Sequence, residues 1–273
     1  MSAAFCTLDD LLACLAVEET THGHFTGPNL ELPYYRIFGG QLLAQTIAIA
    51  TREGIEKHVK SMHVTFPNPG DLREPIDYQV EPVQSGRSFA TEWIVGRQKD
   101  RAIVAALVSL HAAVDAEGLD HQREAPSVGE PEDAPSVPLS MIPWETRIVG
   151  GVDLGSEELG PPRLDLWQRT SKLPDGPAVH QALLAHSTDL TLIGTSLRPH
   201  ADVSEAHSPD RIQTAVTTHT IWFHRPFRMD DWILLSQESP SLSGQRGFGT
   251  GHAFAKTGEL VASFAQESMI RPA

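Results

Sequence analysis

Basic residues are scarce in this chain. Lysine and arginine total 21 against 35 aspartates and glutamates, a formal net charge of −14 over 273 residues. That balance argues against nucleic acid and anionic membrane surfaces as partners, since both repel an acidic protein. It leaves room for a small polyanionic ligand held by a local basic cluster. Long hydrophobic runs are missing too. Nothing approaches the roughly 18 consecutive apolar residues of a membrane-crossing helix. The N-terminus, MSAAFCTLDDLLACLAVEETTH, lacks the basic region and apolar stretch of a secretory leader. The C-terminal MIRPA matches no retention or peroxisomal address. Cysteine is rare as well: Cys6 and Cys14 fall in one helical segment, so no disulfide framework is expected and a reducing, cytoplasmic setting is. Histidine is plentiful at 13, yet His22 with His24, and His219 with His224, lack the carboxylate or cysteine company of a metal site. No metal and no cofactor are expected.

What is present falls into two similar blocks. TLDDLLACLAVEET predicts a short helix capped by Thr7. FGGQLLAQTIAIATREG predicts a buried helix from about Gly40 to Arg52, closed by Gly54. Four extended segments follow, KSMHVTF, PIDYQVEPVQS, FATEWIVGRQ and AIVAALVSLHAAV, each bounded by turn residues. Residues 115–163 are acidic and proline-rich and read as a linker or long crossover, at least partly irregular. The second block repeats the first. GPAVHQALLAHSTDL reads as a helix; TAVTTHTIWFHRPF, DWILLSQESP, GFGTGHAFAK and LVASFAQESMI read as strands. Placing His63 on His219 brings Phe89 near Phe248 and VSLH near FAQE. The reading is a tandem duplication of one helix-plus-sheet unit, an α+β protein with halves at 1–114 and 164–273.

Specific residues then carry a resemblance. RIFGGQLLAQT, STDLTLIGTSLRPH, IWFHRPFRMDDWILLSQESP and RGFGTGHAFAKTGELVASFAQESMIRP, in that order, resemble the type II acyl-CoA thioesterases, the TesB-like family. The resemblance implies a double hot dog fold, in which each half wraps an antiparallel sheet around a long helix. It implies a thioester hydrolase that turns acyl-CoA into free acid and CoA without metal, cofactor or covalent intermediate. It also implies a homodimer or larger homo-oligomer. In the family an Asp, a Gln and a Ser or Thr hold the attacking water.

Residue by residue, the family's aspartate falls on Asp189 in HSTDLTLIG. A carboxylate there serves as general base, and burial beside an apolar helix makes it a better one. The family's glutamine falls on Gln266 in LVASFAQES, a polar residue in an apolar strand, able to donate and accept at once. The Ser or Thr falls on Val216, which has the shape of Thr without the hydroxyl. In a regular strand Thr217 points to the other face, and Thr218 lies on the same face roughly 6–7 Å further along, so Thr218 is the expected substitute. A lost hydrogen bond to a charged group, roughly 1.5–3 kcal/mol, slows a reaction about 10- to 150-fold. A slow thioesterase is therefore expected, with a non-catalytic acyl-CoA or lipid-binding protein as the alternative. Hot dog folds also host hydratases, but only the fold points there. His224, Arg225 and Arg246 are candidates for the CoA phosphates, or else belong to a packed strand end with solvated cations. Gly39 and Gly40 either offer free N–H groups to a carbonyl or permit a tight packing turn.

Overall fold

The computed structural model describes residues 6–53, 55–113 and 118–273. Gly54, Val114 and Asp115, expected at a helix end, a strand end and a linker start, lie outside the described residues.

The first helix, α1 (Leu8–Cys14), starts where the sequence predicts. The Thr7 hydroxyl accepts from the Asp10 N–H at 3.1 Å and the Asp10 carboxylate accepts from the Thr7 N–H at 2.9 Å, so two orphan donors are satisfied reciprocally. A hairpin of β1 (Glu18–Thr21) and β2 (His24–Gly27) follows, then α2 (Gly39–Ala50). Four strands complete the first unit: β3 (Lys57–Thr65), β4 (Ile76–Ser85), β5 (Phe89–Gln98) and β6 (Arg101–Ala112). The second unit repeats this order. It has β7 (Glu145–Ile148), β8 (Arg163–Arg169), α3 (Pro177–Thr188), a short α4 (Leu192–Leu197), β9 (Ile212–Phe223), β10 (Ile233–Ser243), β11 (Arg246–Ala255) and β12 (Leu260–Pro272).

All the strands join one antiparallel sheet in the order β1-β2-β4-β5-β6-β3-β9-β12-β11-β10-β8-β7. The order reads the same from either end, which is the expected duplication in three dimensions and the double hot dog fold. The two echoing sequence segments meet at its centre, where β3 pairs with β9 from Ser61↔Trp222 to Thr65↔Thr218. Pairing equivalent strands gives the halves one shared core. Leu43 and Ile47 of α2 belong to the same buried cluster as Leu183 and Leu184 of α3, and α2 lies against α3.

The buried helix α2 carries polar residues, and they are satisfied. Gln45 donates to Pro28 O at 2.7 Å and accepts from the Tyr78 hydroxyl at 2.8 Å. Gln41 accepts from the Leu30 N–H at 3.1 Å. These bonds anchor the chain that leads into the helix, as buried amides require.

Two expectations need correction. The hairpins β1–β2 and β7–β8 were not foreseen. A four-residue polar strand such as EETT, exposed throughout, has no hydrophobic alternation to reveal it. The stretch expected as a linker is also part of the fold: β7 lies within it, and Met141, Ile142 and Trp144 are buried in the common core.

Candidate active site

Asp189 is the C-cap of α3 and is 4 % exposed. The start of α2 packs directly against it. A Cβ on Gly39 would lie 2.7 Å from the Asp189 Oδ2, and one on Gly40 would lie 2.4 Å from the His186 carbonyl oxygen. The glycine pair is thus a close-approach device between one helix's N-terminus and the other's C-terminus. Burial pushes the Asp189 carboxyl up to about 7, while the Gly40 N–H and the Arg36 guanidinium pull the other way.

Gln266 lies on β12 directly opposite His219 of β9, and both are buried. The His219 ring stacks on Phe264, with centroids 6.3 Å apart. Its Nδ1 is 3.2 Å from the Gln266 Oε1 and 3.9 Å from the Asp189 Oδ1, and its Nε2 is 3.0 Å from the Thr188 hydroxyl. Burial pulls the imidazole down to about 4, so His219 is neutral near pH 7 and its contact with Asp189 is not an ion pair. Two polar atoms of this group are buried without a partner, Asp189 Oδ1 and Gln266 Nε2. Other buried side chains among the described residues are unpartnered too, Gln168 at both amide atoms among them, so what sets this pair apart is that Asp189 also lines a cavity.

A cavity of about 1120 Å3 reaches Asp189 from the surface. Its wall includes Arg36, Phe38 and Gly39 from the first half and Asp189, Glu205 and Val216 from the second. The sheet explains the opening. Pairing of β3 with β9 stops at Thr65↔Thr218, with a last bond from the Phe66 N–H to the Thr217 carbonyl at 3.0 Å, so before Thr217 β9 pairs with β12 alone among the described strands. Arg36 caps one freed edge carbonyl, donating to Thr214 O at 2.7 Å. Glu205, also on the wall, accepts from the Gly194 N–H and is pushed up to about 7 by burial.

The third position differs from the expectation. The register of β9 against β12 slips between Thr218↔Glu267 and Val216↔Ser268, leaving Thr217 as a bulge. One extra residue inverts the alternation. Val216 shares a face with the buried Ser268 and lines the cavity. Thr218 pairs with Glu267, one residue out of phase with Gln266, and so faces the outer side of the sheet rather than Asp189. Thr217 reaches the cavity wall instead, with its hydroxyl donated to the Glu267 carbonyl at 2.9 Å.

The other candidates separate. His224 and Arg225 follow the far end of β9, roughly 26 Å along the strand from Val216. There His224 bonds the Ser263 hydroxyl at 2.8 Å, and Arg225 pairs with Asp120 and donates to Leu260 O at 3.0 Å. The structure does not bring them to the cavity. Arg246 sits opposite Met269, a residue of the cavity wall, and makes an exposed contact of 3.4 Å with Glu267. Sequence reasoning missed Arg36, Glu205 and His219. For His219 a signal existed: it is the first of the inward positions His219, Ile221 and Phe223, and a lone imidazole there needs partners.

Comparisons with known proteins agree along the chain. The family model described as acyl-CoA thioesterase matches residues 154–269, and that of the acyl-CoA thioesterase N-terminal domain matches residues 32–111. Acyl-CoA thioesterase 2 of Haemophilus influenzae is 30% identical over 97% of this chain and 98% of its own. Human acyl-coenzyme A thioesterase 8 is 29% identical over 94% of this chain and 87% of its own. Among solved structures, an acyl-CoA thioesterase II of Mycobacterium marinum is 30% identical and superposes with a TM-score of 0.80, covering 96% of this chain and 98% of that one. A tesB protein of Mycobacterium avium subsp. paratuberculosis superposes with a TM-score of 0.82 at 29% identity, covering 97% and 100%. With a relative this similar along almost its whole length, a matching duplicated sheet and both family models in order, the chain belongs to the type II acyl-CoA thioesterase family, the TesB-like proteins.

Proposed function

We propose that this protein hydrolyses acyl-CoA to free acid and CoA through a water held between Asp189 and Gln266. The observation that carries this reading is that Asp189, whose buried Oδ1 lacks a partner, lines the cavity, while His219 and the unpartnered Nε2 of Gln266, which are not among the wall residues, adjoin it from behind. A water between them donates to the carboxylate and accepts from the amide. Its oxygen bonds to the thioester carbon and its proton passes to Asp189. The C–S bond then breaks, and the thiol leaves with that proton. At the start of α2 the Gly40 N–H is engaged by Asp189 and the Gln41 N–H by the Phe38 carbonyl at 3.1 Å, so the Gly39 N–H is the donor there for the developing oxyanion. A carboxyl with a pKa of about 7 suits the role, being basic yet largely ionised at slightly alkaline pH.

Val216 takes the place of a hydroxyl that would steady the same water, so the turnover is slow. For the CoA phosphates, Arg36 and Arg271 on the cavity wall and Arg246 beside it are the candidates. The acyl chain occupies the apolar remainder of the wall. No described helix is long and apolar enough to cross a membrane. A cytoplasmic, homo-oligomeric enzyme is the setting we propose, the first on two free cysteines and the second on the family resemblance alone.

The test is product analysis in water enriched in oxygen-18. Direct hydrolysis yields one free CoA and one free acid carrying a single label per turnover. Tight acyl-CoA binding with no product would instead mark a binder on a thioesterase scaffold, a reading that family membership disfavours.

A further inference from the structure

We propose that His219 is a positioning residue that fixes the Gln266 amide, turning its NH2 rather than its carbonyl towards Asp189 and the water. This rests on the hydrolytic reading above and adds a member to the machinery. Two oxygens, Gln266 Oε1 at 3.2 Å and Asp189 Oδ1 at 3.9 Å, lie on the Nδ1 side of the ring. The Nε2 side meets a single hydroxyl, that of Thr188, at 3.0 Å. A neutral imidazole has one N–H to place, and the side with two acceptors, one a carboxylate, takes it. Nε2 then accepts from Thr188. That hydroxyl also lies 2.9 Å from the Ala185 carbonyl and has one proton to give, so the two oxygens on the Nδ1 side decide the tautomer, and Thr188 turns from Ala185 to Nε2.

The consequence for Gln266 is directional. Its carbonyl oxygen is held by the Nδ1–H of His219, so the amide cannot rotate without losing that bond. Its Nε2, left without a protein partner, becomes a fixed donor. Gln266 therefore holds the water by donation alone, and Asp189 remains the sole acceptor for the water's proton. The stacking of His219 on Phe264 fixes the ring plane, and burial on both faces of the contact excludes competing solvent. This arrangement partly offsets Val216, because a locked donor needs no hydroxyl to select its orientation.

Three replacements separate positioning from packing. Asn places an amide where Nδ1 stands and keeps a donor for the Gln266 carbonyl. Gln reaches the Nε2 position and serves Thr188 instead. Phe keeps the ring against Phe264 and neither nitrogen. The experiment measures kcat and KM for CoA release, with melting temperature, on wild type, Asp189→Asn and His219→Asn, His219→Gln and His219→Phe. We expect His219→Asn to keep kcat within a few-fold. His219→Gln and His219→Phe should lose about 10- to 100-fold in kcat at nearly constant KM. The proposal is overturned if kcat simply follows melting temperature, if Asn is no better than Gln, or if all three variants keep wild-type rates. Failure of the underlying reading looks different: wild type itself releases no CoA, or Asp189→Asn releases it as fast.

Discussion

Asp189→Asn should make this protein more stable, and only above a certain pH. The carboxyl holds its proton up to about pH 7 in the fold but only to 3.8 in the unfolded chain, because burial disfavours its charge. Between those values the folded state binds more protons than the unfolded one, so stability falls as pH rises from about 4 to about 7 and is level beyond. Above pH 7 the ionised Asp189 destabilises the fold by about 4 kcal/mol relative to a carboxylate in water, the equivalent of a pKa raised from 3.8 to about 7. Asn removes that charge at nearly the same volume. Its NH2 lacks an acceptor, which offsets roughly 1–2 kcal/mol of the gain. A net stabilisation of about 2–3 kcal/mol follows at pH 8.5, a rise in Tm of about 5–10 °C for a chain of this size. The assay is thermal unfolding of wild type and Asp189→Asn in buffers from pH 5 to 8.5. The difference should be largest at pH 8.5, shrink steadily below pH 7 and be small or reversed by pH 5. Equal stability at pH 8.5, or a gain that does not change with pH, would refute the claim that a buried, strained carboxylate sits at this position.

Other perturbations follow from the geometry. Val216→Thr places a hydroxyl on the inner face of β9, at the cavity wall, and should raise kcat about tenfold or more, read by thiol release. Thr218→Ala, on the outer face opposite Glu267, should leave both kcat and KM within twofold; a large loss would mean the bulge at Thr217 is not there in solution. Gly39→Ala drives a methyl to within 2.7 Å of the Asp189 carboxylate, and activity should drop at least 100-fold while the far-ultraviolet circular dichroism stays that of wild type.

The architecture was legible because its punctuation is plain. Gly, Pro and Asp turns bound the long strands, and α2 is apolar enough to announce itself. The matching segments around His63 and His219 reveal the duplication, and in the fold they pair side by side. The outermost strand β1 was not legible, since four exposed polar residues at a sheet edge leave no periodic trace, whereas β7 and β8 do alternate buried residues but lie in or against the stretch read as a linker. The site was legible only in part. Asp189 and Gln266 can be named from the motifs, but their exposure, partners and pKa depend on where α2's glycines press on α3. Thr218 was placed on the wrong face because a period of two assumes an unbroken strand, and no residue type marks the bulge at Thr217. His224 and Arg225 stand out for their charge, yet the length of β9 carries them away from the cavity. In the sequence His219 is a landmark for the repeat and half of a rejected metal pair, whereas the fold buries it between Asp189, Gln266 and Thr188.

The most direct measurement is CoA release from a series of acyl-CoAs, short to long, by wild type beside Asp189→Asn, each from pH 5.5 to 9. The account predicts that wild type releases CoA with kcat/KM rising through about pH 7 to a plateau, as Asp189 loses its proton, and that the Asn variant is at least 100-fold slower throughout. Equal rates for the two proteins, or a wild-type rate that falls as pH rises through 7, would contradict it.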